Sequence, residues 1–408
     1  MRTSISLLSG GLALLAVLPF LLSAGLLNAA VQMLIAALFA SAYGLLAGRA
    51  GMLSFGHAAY FGVGAFATVH GMNALGGTGL LPTPLMPLVG AVAGLVFGVV
   101  AGWFATQRSG TAFAMITLAI AELLHSLAPQ LKGLFGGESG ISTMRMPAWG
   151  LSFGSTTEVY YLTLAWVLVS LLLLHFHTRT PAGRLTLGLR ENSHRLRFLG
   201  YDVHRLSVSA FAISGLFSGV AGALQVLANE AANYVVFDPA VSASVVLNSY
   251  IGGVGVFLGP ALGAALMSFF GYAVSDTTQA WLLYQGVLFV LVMMFMPQGL
   301  VGLGGLAASR VRRLGAARAL PLLLAWLLAA LLLAAGAVFL IELLQRLCSQ
   351  DYRTLAAQAD GWPPVTLLDA SWDVTRPGTW AWPLGLMALG GGLLAFAHRR
   401  LRTPEDAA

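Results

Sequence analysis

Apolar runs long enough to cross a bilayer follow one another along nearly the whole chain, and this repetition constrains the fold more than any other feature. A helix of ~20 residues spans the ~30 Å hydrocarbon core. Such runs lie near residues 5–23, 28–47, 51–71, 84–105, 111–130, 159–177 and 206–228, then near 241–252, 256–275, 281–300, 320–343 and 381–397. Only 9% of residues are charged and 58% are hydrophobic, with a mean hydropathy of +0.83, whereas a soluble domain carries about 25% charge. Backbone polar groups within lipid need partners from their own segment or from packed protein. The expected fold class is therefore all-α: a polytopic transmembrane helical bundle with short broken or re-entrant helices and an extra C-terminal helical hairpin.

Charge gives the bundle an orientation. Lys and Arg collect in the cytoplasmic loops of membrane proteins. With the N-terminus inside, Arg2, Arg49, Arg108, the arginines from Arg179 to Arg205, those from Arg310 to Arg318, and Arg399, Arg400 and Arg402 are cytoplasmic. Five of the 21 basic residues, Lys132, Arg145, Arg346, Arg353 and Arg376, then lie outside. Both termini are expected to be cytoplasmic. Arg2 and the apolar run to Leu22 fit either a membrane anchor or a signal peptide, and the close approach of a second span favours the anchor. The net charge of +6 is explained by these short loops, so no nucleic-acid partner is expected. Cys348 is the single cysteine, which excludes an intrachain disulfide and a cysteine metal cluster.

The chain holds 49 glycines in 408 residues, above the usual ~7%, and small residues let membrane helices approach closely. They crowd the stretch Gly44–Ala67, GLLAGRAGMLSFGHAAYFGVGAFA, which also holds Ser54, Gly56 and His57. Polar groups at that depth either line a path or serve a tight helix contact. Asn248 and Ser249 precede Gly252, Gly253 and Gly255, where a helix break is expected. Glu122, with His125 one turn later on the same face, is the clearest intramembrane carboxylate. It either lines a path or is held by a neighbouring helix or partner.

From Thr180 to Gly200 the chain reads TPAGRLTLGLRENSHRLRFLG. Thr180 can cap, Pro181 suits the first helical position and Gly200 can terminate in the left-handed conformation. Leu185, Leu189, Leu196 and Leu199 form a stripe flanked by Arg184, Arg190, Arg195 and Arg197. One short amphipathic helix at the membrane surface is expected, its arginines facing either anionic headgroups or carboxylates of a partner.

Taken together these motifs resemble the LivM-type permeases, the membrane subunits of ATP-binding-cassette importers for branched-chain amino acids. The Gly44–Ala67 stretch is similar to the family signature, and GR-x4-LREN followed by FLGYDV to its cytoplasmic loop. IGGVGVFLGPALGAAL resembles its second glycine motif, with Val256 where threonine is common. GTAFAMITLAIAE, FGGESGI, SAFAISGLFSGVAGAL and FMPQGLVGL extend the likeness over about residues 33–305. Met52 stands where many relatives carry glutamine, and Ala112 where an aromatic residue is usual.

The resemblance implies a permease core over residues 1–309 with a coupling loop at 178–205, in which Arg184, Arg190, Glu191 and Asn192 engage ATPase subunits. Path candidates are Ser54, His57, Glu122, Asn248 and Ser249, with Gly56, Gly252, Gly253 and Gly255 as helix-break glycines. Implied partners are a second, LivH-type permease, two ATP-binding subunits that bind ATP and Mg, and a periplasmic solute-binding protein facing Gly137–Trp149 and Asn229–Asp238. The implied location is the bacterial inner membrane. Branched-chain amino acids are the first expectation for the solute; urea, amides and aromatic acids are carried by relatives on the same scaffold.

The chain itself has no G-x4-GK[ST] phosphate loop, since its one lysine, Lys132, sits in QLKGLF. Gly253-Val254-Gly255 lacks the full dinucleotide pattern and reads as a tight membrane turn. Neither a nucleophile–base pair nor an H-E-x-x-H metal motif occurs, so no cofactor, metal or catalytic residue is expected. An ion-coupled carrier usually needs several intramembrane ionisable groups, and Glu122 is alone. Beyond Leu303, residues 310–408 form an accessory hairpin, with a polar loop at 345–379 and Trp362, Trp372, Trp380 and Trp382 suited to the interface.

Overall fold

A computed structural model describes residues 2–275, 278, 280–296, 298–358, 362–367 and 370–401. Arg402 and the side chains of Arg2, Arg310, Arg313, Arg318, Arg399 and Arg400 lie outside the described part. The described chain is helical almost throughout, in two compact units. The first comprises Met1–Tyr272 and Leu288–Val301, the second Ala273–Val287 and Gly302–Ala408.

The first unit runs α1 (Arg2–Leu21), α2 (Ala24–Gly44), α3 (His57–Leu75), α4 (Pro87–Ala105), α5 (Thr111–Leu127) and the single turn α6 (Lys132–Phe135). It continues through α7 (Thr156–Arg179), α8 (Pro181–Phe198), α9 (Val203–Asn229), α10 (Pro239–Gly252) and α11 (Gly259–Ser275). Six described helices are long and apolar enough to cross a membrane, within 24–50, 83–105, 156–179, 203–229, 319–348 and 377–397. Shorter apolar helices lie at Thr111–Leu127, Gly259–Ser275 and Trp281–Met294.

The centre of this unit is built on absent side chains. Helix α4 carries Gly90, Gly94, Gly98 and Gly102 at every fourth position, one face of a helix. That face lies on Ala223, Gly219, Gly215, Ala212 and Phe211 of α9. A Cβ on Gly90 would stand 2.6 Å from the Gly219 carbonyl, and one on Gly98 3.0 Å from Ala212 Cα. Gly219 also meets Gly64 of α3, and Gly222 meets the Phe61 carbonyl. Lipid is as apolar as a leucine side chain, so backbone approach and dispersion hold such helices together. Helices α2 and α9, apolar all round, are buried nearly all round.

Two expected spans and the expected surface helix differ in detail. Residues 51–56 are not helical, because Gly51 takes φ +68° and closes a π-turn at Leu45–Ala50; α3 starts only at His57. The run near 281–300 divides into α12 (Trp281–Phe295) and α13 (Gly299–Leu314), with Gly299 at φ +68°. The amphipathic stretch at 181–198 is interrupted at Asn192, whose backbone is extended (φ −163°, ψ 96°).

On one face, β1 (Ile141–Ser142) pairs with β2 (Ala231–Ala232). Arg145 Nη1 donates to the carbonyls of Leu227 (2.7 Å) and Ala228 (3.3 Å) at the end of α9, and Arg145 Nε lies 3.4 Å from Glu230 Oε1. Beneath them Phe66, Phe135 and Phe237 form an aromatic plug with centroids 4.9–5.5 Å apart. The segments 137–149 and 229–238 thereby become one platform.

The second unit is dominated by the pair α14 (Ala316–Cys348) and α16 (Pro377–Leu401). Between them come α15 (Gln350–Gln358), β3 (Val365–Leu367) and β4 (Ala370–Trp372), the last two antiparallel. Phe339, Leu343, Tyr352, Val365 and Leu367 are their small core.

Candidate functional site

Two broken helices and one surface helix meet in the first unit. The break after α2 is held from three sides. Phe55 N donates to Thr117 Oγ1 of α5 (3.2 Å), and Gly56 lies so tightly on the Thr117 carbonyl that a Cβ would not fit. The N-terminal amides of α3 have no intrahelical partners and need acceptors, and Ala58 N finds Ser242 Oγ of α10 at 2.9 Å.

His57 sits at that same helix start, fully buried, with Nε2 2.8 Å from Ser214 Oγ of α9. Ser214 donates its own hydroxyl proton to the Ala42 carbonyl at 2.7 Å, so it accepts from the Nε2–H of His57. Tyr43, Tyr60, Phe39 and Phe211 surround the ring at 5.1–6.3 Å. Ser54 and Ser249 are likewise wholly enclosed, and Asn248 nearly so. Within this chain all four side chains are buried.

The second break follows α10. Gly253 takes φ +108°, residues 253–258 turn, and α11 begins at Gly259. Gly252 faces Gly259 and Gly263, while Gly253 abuts Gln298 and Gly299, so backbone touches backbone where no side chain fits. Gly255 is exposed in the turn with open space around it. Helix α10, not a strand, precedes Gly253-Val254-Gly255. With 14 residues, α10 rises roughly 21 Å, short of the ~30 Å core.

These breaks meet α8. Thr180 caps it, its Oγ1 accepting from Gly183 N at 3.1 Å, Pro181 holds the first turn, and Gly200 is left-handed at φ +88°. Arg190 Nη1 donates to the Gly48 carbonyl at 2.6 Å, and its Cα, Cβ and Cγ lie 3.0–3.1 Å from where a Gly51 Cβ would be. Gly48 in turn packs on the Val254 carbonyl. Arg190 therefore bridges α8 to the first break, and Gly48 joins the first break to the second. Arg184 and Glu191 are exposed. Asn192 Oδ1 accepts from Arg195 N at 3.0 Å, capping a new turn as asparagine does at helix starts, which explains the kink.

Glu122 lies apart from this cluster. It is exposed on α5 and makes no hydrogen bond or ion pair among the described residues. His125 does not pair with it; its ring faces Tyr234 at 5.8 Å. Ala112, Met115, Ala119 and Glu122 form one exposed stripe at helical spacing. Sequence reasoning passed over Thr117, Ser214 and Ser242, the residues that satisfy the first break. Their one signal is a hydroxyl among small residues, as in SAFAISG and VSASV.

Broken apolar helices joined to a charged surface helix define a multi-pass membrane transport subunit. Residues 25–297 match the family of branched-chain amino acid transport system permease components, and the chain belongs to this family. It is 29% identical over 310 residues to the high-affinity branched-chain amino acid transport system permease protein LivM of Salmonella typhimurium, covering 69% of this chain and 71% of that one. A probable LivM of Methanocaldococcus jannaschii is 26% identical, covering 59% and 77%. The xylose transport system permease protein XylH of Escherichia coli is 25% identical, covering 49% and 67%. No solved structure matches the chain significantly.

Proposed function

We propose that this chain is one of two permease subunits in an ATP-driven importer of the bacterial inner membrane, with both termini cytoplasmic. It moves small amino acids with branched side chains and leaves ATP hydrolysis to two partner ATPases. The junction of Arg190, Gly48 and Val254 carries this reading. A push on α8 from a cytoplasmic ATPase would reach the first helix break through the Arg190 guanidinium and the second through the backbone contact of Gly48 with Val254. Arg184, Glu191 and the Asn192 elbow present the outer side of α8 to that ATPase, while Arg190 transmits. The paired segments 137–149 and 229–238 would receive a solute-binding protein on the opposite face.

Glu122 supports a second permease along α5. A carboxylate facing hydrocarbon costs about 2.5–3.5 kcal/mol on insertion scales, so its stripe belongs against protein or water. The solute follows the LivM relatives, whose alignment covers more of this chain than that of the xylose permease.

Reversing Glu191 to Arg tests the coupling without breaking the Arg190 bridge. In the assembled complex, uptake of leucine, isoleucine and valine should fall at least roughly tenfold, the loss expected when a charged interface contact worth more than 1.4 kcal/mol is reversed. ATPase activity should persist but no longer respond to loaded binding protein. Normal uptake in Glu191→Arg would remove α8 from the coupling path, and preferred uptake of urea or xylose would replace the solute.

A further inference from the structure

A cleft of about 390 Å³ opens at the C-terminal end of α4, lined by Trp103, Thr106, Gln107, Arg197, Val203 and His204. The proposed ATPase and solute contacts make no use of it. Two of its polar groups, Thr106 and His204, are held in place. Thr106 donates its hydroxyl proton to the Gly102 carbonyl at 2.7 Å and lies 3.1 Å from His204 Nδ1. Thr106 Oγ1 therefore accepts from Nδ1–H, which fixes the ring. The Trp103 indole stands edge-on to that ring with centroids 4.6 Å apart. Arg197 adds a guanidinium that makes no ion pair among the described residues, and Gln107 adds an amide. The neighbouring acid, Asp202, is occupied by Arg205 at 3.1 Å.

The cleft continues into an apolar stripe. Val92, Val96, Val99 and Trp103 follow at helical spacing on the exposed side of α4, opposite its glycine face, and are 44–60% exposed. A second, almost wholly apolar cleft of about 520 Å³ lies along the same stripe at Leu88, Val89, Val92, Ala93 and Val96. From Val92 to Trp103 the helix rises roughly 16 Å, close to half of the ~30 Å hydrocarbon core, one leaflet's depth. Cationic and amide donors at the polar end of a one-leaflet apolar stripe match the two ends of a phospholipid. Basic pockets between membrane helices are known to take anionic headgroups.

We infer that this cleft binds the phosphate of an anionic phospholipid, held by Arg197 and Gln107 beside the Trp103–His204 pair, with an acyl chain along Val92–Val99. The inference rests on α4 and α9 spanning the membrane, not on the coupling role of α8. The elbow at Asn192 then divides α8 into a part that meets protein and a part that meets lipid.

The test uses the complete purified transporter, with bound lipid counted by native mass spectrometry after exchange into equal phosphatidylglycerol and phosphatidylcholine. Phosphatidylglycerol should be retained preferentially. Arg197→Ala should lower that retention roughly tenfold or more, as expected for losing a charge-assisted hydrogen bond, while Arg197→Lys keeps most of it. Glu191→Arg should leave retention unchanged, so failure of the coupling reading and failure of this one are separable. Equal retention of the two lipids, or unchanged retention in Arg197→Ala, overturns the proposal. Displacement of the lipid by inorganic phosphate alone assigns the cleft to a free anion, and loss of ATPase coupling in Arg197→Ala with lipid retained assigns Arg197 to the ATPase; either outcome also overturns it.

Discussion

Helices α4 and α9 of the first unit and helices α14 and α16 of the second are two answers to the same question, how apolar helices associate where no hydrophobic force drives them together. In the first pair the backbone itself is the contact surface. Gly90, Gly94 and Gly98 of α4 meet small residues of α9 and Gly102 meets Phe211, and 83% of the apolar stretch of α9 and 44% of that of α4 are buried, against 17% for α14 and for α16. In the second pair Gly336 meets Met387 and the Pro383 carbonyl, and Gly390 meets Leu333 and the Ala329 carbonyl. A Cβ added at Gly385, Gly391 or Gly392 would meet nothing within 4 Å. One region specifies its packing residue by residue; the other offers mostly side-chain surface to its surroundings.

The largest predicted effect breaks this contrast at Gly219, where three helices meet. Gly219→Leu should abolish folded protein, seen as loss of the monodisperse peak in detergent, and Gly94→Ala should cost about 1–3 kcal/mol in unfolding free energy through overpacking. Gly391→Ala in α16 should gain about 0.5–1 kcal/mol, because alanine is the better helix former where space is open. Similar losses at Gly94 and Gly391 would erase the distinction between the two regions.

Removal of the chain from Arg310 onward sharpens the comparison at the level of whole elements. The broken helices, the Arg190 bridge and the α4–α9 ladder all lie before that residue. Truncated protein should insert, assemble and transport at a reduced rate. Complete loss of assembled complex would make the hairpin part of the working core.

Much of the bundle was legible because hydrocarbon permits so few structures. The apolar runs mark the helices to within a few residues, and Thr180, Pro181 and Gly200 mark the ends of the α8 stretch correctly. Two things escaped for physical reasons. The glycine content announced close packing without naming partners, since Gly94 and Gly215 are 121 positions apart in sequence and only the fold brings them together. Asn192 looked like one more polar residue of an amphipathic helix, whereas its side chain competes with the backbone and starts a new turn. The candidate site shows the same limit. His57 was visible as an odd residue in an apolar stretch, but Ser214, which fixes its proton, is identified by proximity alone.

That proximity yields a smaller, local prediction. Ser214→Ala leaves the buried Nε2–H of His57 without its acceptor and frees the Ala42 carbonyl, at a cost of about 1–3 kcal/mol. Thermal unfolding of the purified protein should register it, and restoring the hydroxyl with Ser214→Thr should recover part of the loss. An unchanged melting temperature in the alanine variant would mean that the imidazole turns to another partner.

The smallest effect belongs to the loop of the hairpin, where water replaces packing as the environment. Thr375 donates its hydroxyl (2.7 Å) and its amide (3.1 Å) to Asp373 Oδ1, and Arg376 Nε lies 3.2 Å from Oδ2. These donors, Thr375 foremost, hold the Asp373 carboxyl below its ordinary range. A carboxyl depressed on folding adds stability above its unfolded pKa and loses it as pH falls through the folded value. The turn that precedes α16 should therefore loosen only under acid. The contribution is small, because the pair is exposed and screened by solvent. Titration of carboxyl-labelled aspartate should place the Asp373 midpoint below the usual ~3.9, and Thr375→Val should return it toward that value. Equal midpoints in the two proteins would show that hydrogen bonds at this surface turn leave no mark on the carboxyl, and the contrast would then rest on the buried glycines alone.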